Sequence, residues 1–331
     1  MKKMINKPEN IVTEMINGML KAYPNALKQV EDLPVIIRKN KKNGKVALIS
    51  GGGSGHEPSH AGFVGEGMLD AAVAGEVFTS PSADKVYEAI KAVDSGEGVL
   101  LIIKNYSGDV MNFEMAAEMA GMEGINVKKI IVNDDIAVEN STYTVGRRGI
   151  AGTVLVHKMV GAAAEKGYSL DELEKFGNKV ISRIKTMGMA LKPCMVPTTG
   201  KLSFELPEDE VEIGLGIHGE PGTHREKIQT ADTHVDYLLE KLLKESDLKP
   251  EDEVAVLVNG LGETTLIELY IINNRVADVL SEKNIKVFDT IVGNYMTSLD
   301  MGGFSITLVK LDEEMKEMLM AKADTPAFKR F

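Results

Sequence analysis

Three residues stand where their side chains can do acid–base or nucleophilic chemistry: His56, Asp109 and His218. Each lies beside glycine. The stretches are Ser50-Gly51-Gly52-Gly53-Ser54-Gly55-His56-Glu57-Pro58, Ser107-Gly108-Asp109, and Gly214-Leu215-Gly216-Ile217-His218-Gly219-Glu220-Pro221-Gly222. Glycine has no side chain to block a ligand, so backbone groups and a neighbouring titratable group can reach a small molecule together. A histidine changes charge near neutral pH, and a carboxylate can take a proton from a hydroxyl. Each residue also has a plainer reading. A loop histidine is often solvated, and Asp109 could cap a helix beginning at Val110.

The first stretch is neither of the common phosphate motifs. A dinucleotide fingerprint starting at Gly51 needs glycine where His56 stands, and a Walker A loop ends in Gly-Lys-Ser/Thr rather than Gly-His-Glu-Pro. Ser54 lacks a nucleophile elbow, because Gly52-Gly53-Ser54-Gly55-His56 has histidine in place of the last glycine. Two histidines and an aspartate without a His-x-x-x-His or cysteine pair define no metal geometry, so no metal is expected.

The flanking elements must position these groups. Lys45–Ile49 reads as a buried strand, the glycine run as the loop leaving it, and Ser59–Phe63 as the opening of a helix with Pro58 in its first turn. Val99–Ile103 is the most hydrophobic run and reads as a central strand. It leads through a polar loop, 104–109, into a methionine-rich helix, Val110–Met122, whose methionines read as core filler. Strands that end in such loops before helices gather ligands at their carboxyl ends, so His56 and Asp109 can share one crevice. A helix over 9–22, strands at Pro34–Ile37, Ala71–Gly75 and Lys129–Val132, and a Ser82-capped helix, Ala83–Val93, complete an alternation that predicts a largely parallel sheet. Residues 149–187 read as helical, broken near Gly167-Tyr168, with Ser169 as a cap. Composition then shifts through Pro197, Gly200, Pro207 and Glu208-Asp209-Glu210. This places a boundary near residue 185, with domains at 1–184, carrying His56 and Asp109, and 185–331, carrying His218. The second half predicts strands at Val211–Ile217, Val254–Val258, Lys286–Ile291 and Phe304–Val309, and helices at Ala231–Lys244 and Thr264–Leu280. The tail, 322–331, has no assigned place.

Composition removes several classes of function. The 331 residues carry a net charge of −11, which argues against a nucleic-acid or anionic-membrane surface. One cysteine, Cys194, leaves no intrachain disulfide and fits a reducing cytoplasm. No run approaches the roughly 20 apolar residues of a membrane span. The basic start meets Pro8 and Glu9 before any apolar stretch, so no signal peptide is expected.

Several blocks, taken in order, cover nearly the whole chain: Leu48–Ser54 running into Gly55-His56-Glu57-Pro58, Gly75–Pro81, Ile103–Phe113, Gly146-Arg147-Arg148-Gly149, Gly214–Gly222 and Thr297–Met301. Together they resemble the dihydroxyacetone kinases. More narrowly, the chain resembles the separate substrate-binding subunit of the bacterial enzymes that take phosphate from the phosphoenolpyruvate phosphotransferase system. ATP-dependent relatives fuse a helical nucleotide-binding domain after this one, and this chain ends at Phe331. The resemblance implies two α/β domains, each a mixed β-sheet flanked by helices, and a homodimer. It implies that His218 adds through a ring nitrogen to the ketone of dihydroxyacetone, giving a covalent hemiaminal. A reversible bond of this kind supplies affinity that a three-carbon ketone otherwise lacks. It makes Asp109 the general base for the hydroxyl that attacks phosphorus, with His56 assisting by hydrogen bond or proton transfer. Gly53, Ser80, Lys104 and Gly108 fall where the family lines its substrate pocket, and Lys104 could favour incoming phosphate.

The same resemblance leaves this chain without a bound cofactor. ADP/ATP and Mg are expected on a partner nucleotide-binding kinase subunit, itself phosphorylated by a relay protein of the phosphotransferase system. A paralogue that senses dihydroxyacetone as a transcriptional coactivator is the alternative. Because the attacking imidazole must be neutral, and an unperturbed histidine titrates at about 6.5, occupancy is expected to fall as pH drops through that value.

Overall fold

A computed structural model describes residues 2–331. In chain order the elements are α1 (Ile11–Ala22), β1 (Leu27–Gln29), β2 (Val35–Arg38), β3 (Ala47–Ser54), β4 (Ala71–Val77), α2 (Ala83–Val93), β5 (Val99–Lys104), α3 (Ser107–Met122), β6 (Val127–Val132), α4 (Thr153–Glu165) and α5 (Leu170–Arg183). They continue with β7 (Ile184–Lys192), β8 (Met195–Val196), β9 (Lys201–Leu202), β10 (Glu210–Ile213), β11 (His224–Lys227), α6 (Ala231–Glu245), β12 (Glu253–Gly260), α7 (Leu266–Glu282), β13 (Lys286–Gly293), β14 (Gly302–Lys310), α8 (Glu313–Met320), β15 (Ala323–Asp324) and β16 (Lys329–Arg330).

Two six-stranded mixed sheets result, with orders β1-β2-β4-β3-β5-β6 and β11-β10-β7-β14-β12-β13. In the first, β3 runs parallel to β4 and β5, and β5 to β6, while β1 and β2 are antiparallel additions. This is the parallel core that alternating strands and helices predict. The second sheet differs: only β12 and β13 are parallel. The reason is β14, which arrives late in the chain and inserts antiparallel between β7 and β12.

Strand alternation sorts the core into three clusters. Side chains two apart share a face, so Leu100 and Ile102 of β5 point one way and Leu101 and Ile103 the other. One face of the first sheet packs on α2 and α3 through Val86, Ile90, Phe113 and Ala116. One face of the second packs on α6 and α7 through Leu238, Leu239, Leu269 and Ile272. The remaining two faces share a cluster with α4, α5 and α8, in which Leu48, Leu100 and Ile130 join Leu257, Ile291 and Val309. The molecule is therefore layered helix–sheet–helix–sheet–helix, with a middle layer common to both sheets.

Three local expectations are corrected. The glycine run is strand rather than loop, since β3 continues through Gly51, Gly52 and Gly53, paired with Val73, Ala74 and Gly75 of β4. Pairing with β4 alone carries the glycines, since pairing with β5 stops at Ser50, and it overrides glycine's weak strand preference. The helix expected after Pro58 is only a single 3₁₀ turn, Ala61–Phe63. Residues 184–187, expected as helix, open β7. Ile184 already leaves the helix in an extended conformation, and the strand pairs with β14. The tail now has a place: Asp324 bridges to Glu66 and β15 pairs with β16, which carries the end of the chain back to the first half.

Candidate active site

His56 is held by both halves. Beyond Ser54 the chain from Gly55 to Ser59 is laced to the β13–β14 connection. The amide of Leu299 donates to the Gly55 carbonyl (2.7 Å), the Thr297 hydroxyl to the Glu57 carbonyl (2.8 Å), and the Ser59 hydroxyl to the Tyr295 carbonyl (2.7 Å). The ring is fully buried, with Nδ1 2.8 Å from the Thr297 carbonyl oxygen. A carbonyl only accepts, so Nδ1 carries the hydrogen and donates it.

His218 sits in the turn after β10. Glu220 grips it twice, accepting from its backbone amide at 2.9 Å and lying 3.3 Å from Nδ1. Gly216, two residues before His218, leaves room for this grip: a Cβ there would overlap the Glu220 carboxylate. The His218 ring stands edge-on to Tyr106 and Phe78, with centroids 4.6 Å and 5.4 Å away. Its Nε2 is 3.0 Å from Nε2 of His56, so two histidines 162 residues apart meet nitrogen to nitrogen.

Asp109 lies inside the first turn of α3, two residues into the helix, and is not its cap. The positive end of the helix favours a carboxylate there. Its Oδ2 accepts from Lys104 Nζ at 3.3 Å, and its Oδ1 is buried with no partner in the protein. Lys104 closes β5 and is fully buried, with Nζ 5.3 Å from the centre of the Tyr106 ring. Gly52 makes room for this pair. Its φ of +152° suits glycine, and a Cβ would stand 2.7 Å from Lys104 Nζ.

A cavity of about 520 Å³ opens between these groups. Gly53, Ser80, Gly108, Asp109 and His218 border it, together with Phe78, Thr79, Tyr106, Asn112 and Tyr143. His56 and Lys104 stand behind that lining, in contact with His218 and Asp109 respectively. A separate, mostly apolar cavity of about 230 Å³ lies beyond β3, under Met15 and Met19 of α1 and the following Tyr23, with Glu57, Ser59 and His60 on its wall.

The electrostatics divide the roles. Burial, then the proximity of His218 and Lys104, holds His56 well below the ordinary histidine value. Burial alone would raise the Glu220 carboxyl. The hydrogen bond and charge of His218, with Arg148, outweigh it and bring Glu220 down to about 2. Burial and then Glu220 keep the Tyr106 phenol protonated well above its usual range. Arg148 is itself buried, bonded to Asp135 and to the Gly214 carbonyl at 2.7 Å each, so it braces the His218 turn.

Of the seven residues singled out in the sequence, five border the cavity and two support it. The sequence reading passed over Glu220, Thr297, Tyr106 and Phe78. All four lie inside the quoted blocks, and Glu220 is two residues from His218, which was the available signal. No three histidine, cysteine or acidic side chains form a metal-binding group among the described residues, and no described helix is long and apolar enough to cross a membrane.

Comparison with known proteins gives a consistent answer. The Dak1 domain matches residues 17–327. The PTS-dependent dihydroxyacetone kinase 1, dihydroxyacetone-binding subunit DhaK, of Listeria innocua is 55% identical over 329 residues, covering 99% of this chain and all of that one. The dihydroxyacetone kinase of C. freundii superposes with a TM-score of 0.92 at 38% identity, over 99% of this chain and 60% of that one. The dihydroxyacetone kinase operon co-activator DhaQ superposes with a TM-score of 0.91 at 40% identity, over 96% of this chain and 98% of that one. The chain belongs to the Dak1 family, that of the dihydroxyacetone kinases.

Proposed function

We propose that this chain is the dihydroxyacetone-binding subunit of a phosphotransferase-system-dependent dihydroxyacetone kinase. In this reading His218 Nε2 adds to the ketone carbon, and the substrate is held as a hemiaminal in the cavity. A terminal hydroxyl then reaches Asp109, which takes its proton as that oxygen attacks phosphorus on a nucleotide carried by a partner subunit. Gly53, Ser80 and Gly108 border the triose, and Lys104 donates to Asp109 from behind. Nucleotide and Mg belong to the partner, which a relay protein rephosphorylates. The chain acts in the cytoplasm as a homodimer, with domains at 1–184 and 185–331.

One observation carries the reading. A histidine whose Nε2 meets a second imidazole, and a carboxylate with an unpartnered buried oxygen, border one small cavity, the nucleophile and base that capture and phosphorylation of a ketotriose require. The co-activator likeness supports a sensor as the second reading. Sensing needs the hemiaminal but no base.

The test is reconstitution with a nucleotide-binding subunit and a phosphate relay. The wild type is expected to make dihydroxyacetone phosphate and to show a mass adduct on the peptide containing His218. His218→Ala is expected to lose the adduct. Asp109→Asn is expected to keep it and to lose turnover by on the order of 10²- to 10⁴-fold. An adduct without turnover in the wild type would favour the sensor; no adduct at His218 would sink both.

A further inference from the structure

The two rings of the site pose a question of proton number. His56 Nδ1 faces a backbone carbonyl, and His218 Nδ1 faces a carboxylate. Neither partner has a hydrogen to give: the carbonyl never does, and Glu220, buried against Arg148, stays ionised far below neutral pH. Both Nδ1 atoms must therefore carry hydrogen. A neutral imidazole has only one N–H, so two neutral rings would turn bare lone pairs toward each other across 3.0 Å. Moving either hydrogen to Nε2 would set a lone pair against Thr297 or Glu220 instead. Three hydrogens on the two rings satisfy every contact.

We propose that Glu220 is the positioning residue of this site: with the Thr297 carbonyl it makes the unliganded protein hold one proton between the Nε2 atoms of His56 and His218. His56, which the family resemblance makes an assistant in proton transfer, then passes that proton to the substrate's carbonyl oxygen. The proposal rests on the ketone-binding reading above.

The step balances. The shared proton moves fully to His56, which frees the lone pair of His218 Nε2. That pair forms the bond to the ketone carbon while the carbonyl π bond passes to oxygen. The oxygen takes the proton from His56 Nε2, leaving His56 neutral and His218 as an N-alkylated imidazolium. One positive charge enters and one remains, now facing the Glu220 carboxylate. His56 suits the donor role, because an imidazolium in a buried site near Lys104 releases its proton readily. The other groups around the pair are Asp109 with Lys104, Glu220 with Arg148, and the faces of Phe78 and Tyr106, whose phenol stays protonated.

This changes the pH dependence expected from the sequence. A second proton still blocks the nucleophile at low pH, but loss of the shared proton removes the acid at high pH. Affinity for dihydroxyacetone then has an alkaline limb as well as an acid one.

Two measurements test this. The first needs no ligand: ¹⁵N spectra of the histidine-labelled wild type, whose six histidines are assignable by substitution, followed with pH. Both Nδ1 atoms are expected to stay protonated while the two Nε2 atoms share one titrating hydrogen. An Nε2–H tautomer with a bare Nδ1 on either ring would overturn the proposal. The second is the pH profile of dihydroxyacetone affinity in Glu220→Gln, which keeps the shape of the side chain. Affinity is expected to fall by about 10- to 100-fold, as for loss of a charged hydrogen bond, with the alkaline limb at lower pH and partial recovery in Glu220→Asp. Wild-type affinity with an unmoved limb would refute it. If the wild type binds no dihydroxyacetone, the functional reading fails, and the spectra still decide the proton count.

Discussion

At Gly52 the backbone of β3 passes so near Lys104 that one added methyl group would strike its ammonium, and the oxygen that Lys104 holds on Asp109 is only 3.3 Å from the same point. Gly52→Ala therefore displaces a charge without touching either charged residue. The expected outcome is a protein with an unchanged far-ultraviolet circular dichroism spectrum and unchanged hemiaminal capture. Turnover should be lower by about 10- to 100-fold, the worth of a buried charged hydrogen bond. Wild-type turnover would show that the position of Lys104 does not matter to Asp109. His56, Asp109 and His218 were legible because titratable side chains between glycines are rare in packed elements. Thr297 was not, since its carbonyl meets His56 from 241 residues away, and backbone atoms carry no residue signature. Asp109 was ambiguous for a local reason: cap and first-turn positions favour the same residue types.

Between α4 and α8 one element pair carries an unusual burden. Lys158 is fully buried, and its ammonium donates to the Met318 carbonyl at 2.7 Å near the end of α8. Arg330 donates to the neighbouring Leu319 carbonyl, so two cations serve one helix terminus. Burial, then Arg330, lowers Lys158 from 10.5 to about 7, with Asp289 opposing. The folded protein thus binds fewer protons than the unfolded chain between about pH 7 and 10.5. The penalty is whole below pH 7 and fades as pH rises, so this group alone adds about 1.4 kcal/mol of stability per pH unit across that window. Lys158→Met should remove the slope. Urea unfolding at pH 6.5 and pH 9 should show the variant gaining relative to the wild type at the lower pH, by about 3 kcal/mol more than at the higher. Equal differences at both would mean that the ammonium is solvated. The helix periods of α1, α2, α6 and α7 and the apolar run of β5 were readable because each pattern is local. In contrast, β7 reads Ile184-Lys185-Thr186-Met187-Gly188-Met189-Ala190, without the β-branched alternation of a strand, and exists because β14 and β10 pair with it.

Taken whole, the molecule shares its middle layer between two sheets, and the site shares its two histidines between the same halves. Neither half can lose its fold without exposing the apolar face of the other. Calorimetry is expected to show one cooperative transition that shifts upward with dihydroxyacetone. The gain should be about 2.7 kcal/mol at a hundred times the dissociation constant, and it should be absent in His218→Ala. Two transitions, or a shift that survives the substitution, would contradict this coupling. The fold class was readable from alternating strands and helices, but the insertion of β14 was not, because strand order depends on long-range pairing. That insertion has a consequence for how the chain is made. The first sheet and its helices are complete once residue 183 has left the ribosome, yet β7 and β12 wait for a strand that ends at Lys310. At synthesis rates of about 5–20 residues per second, the open edge of β7 persists for about 6 to 24 seconds and that of β12 for about 2.5 to 10 seconds. In that interval the growing polypeptide depends on chaperones or on its own folded first half to keep them from pairing with a neighbour.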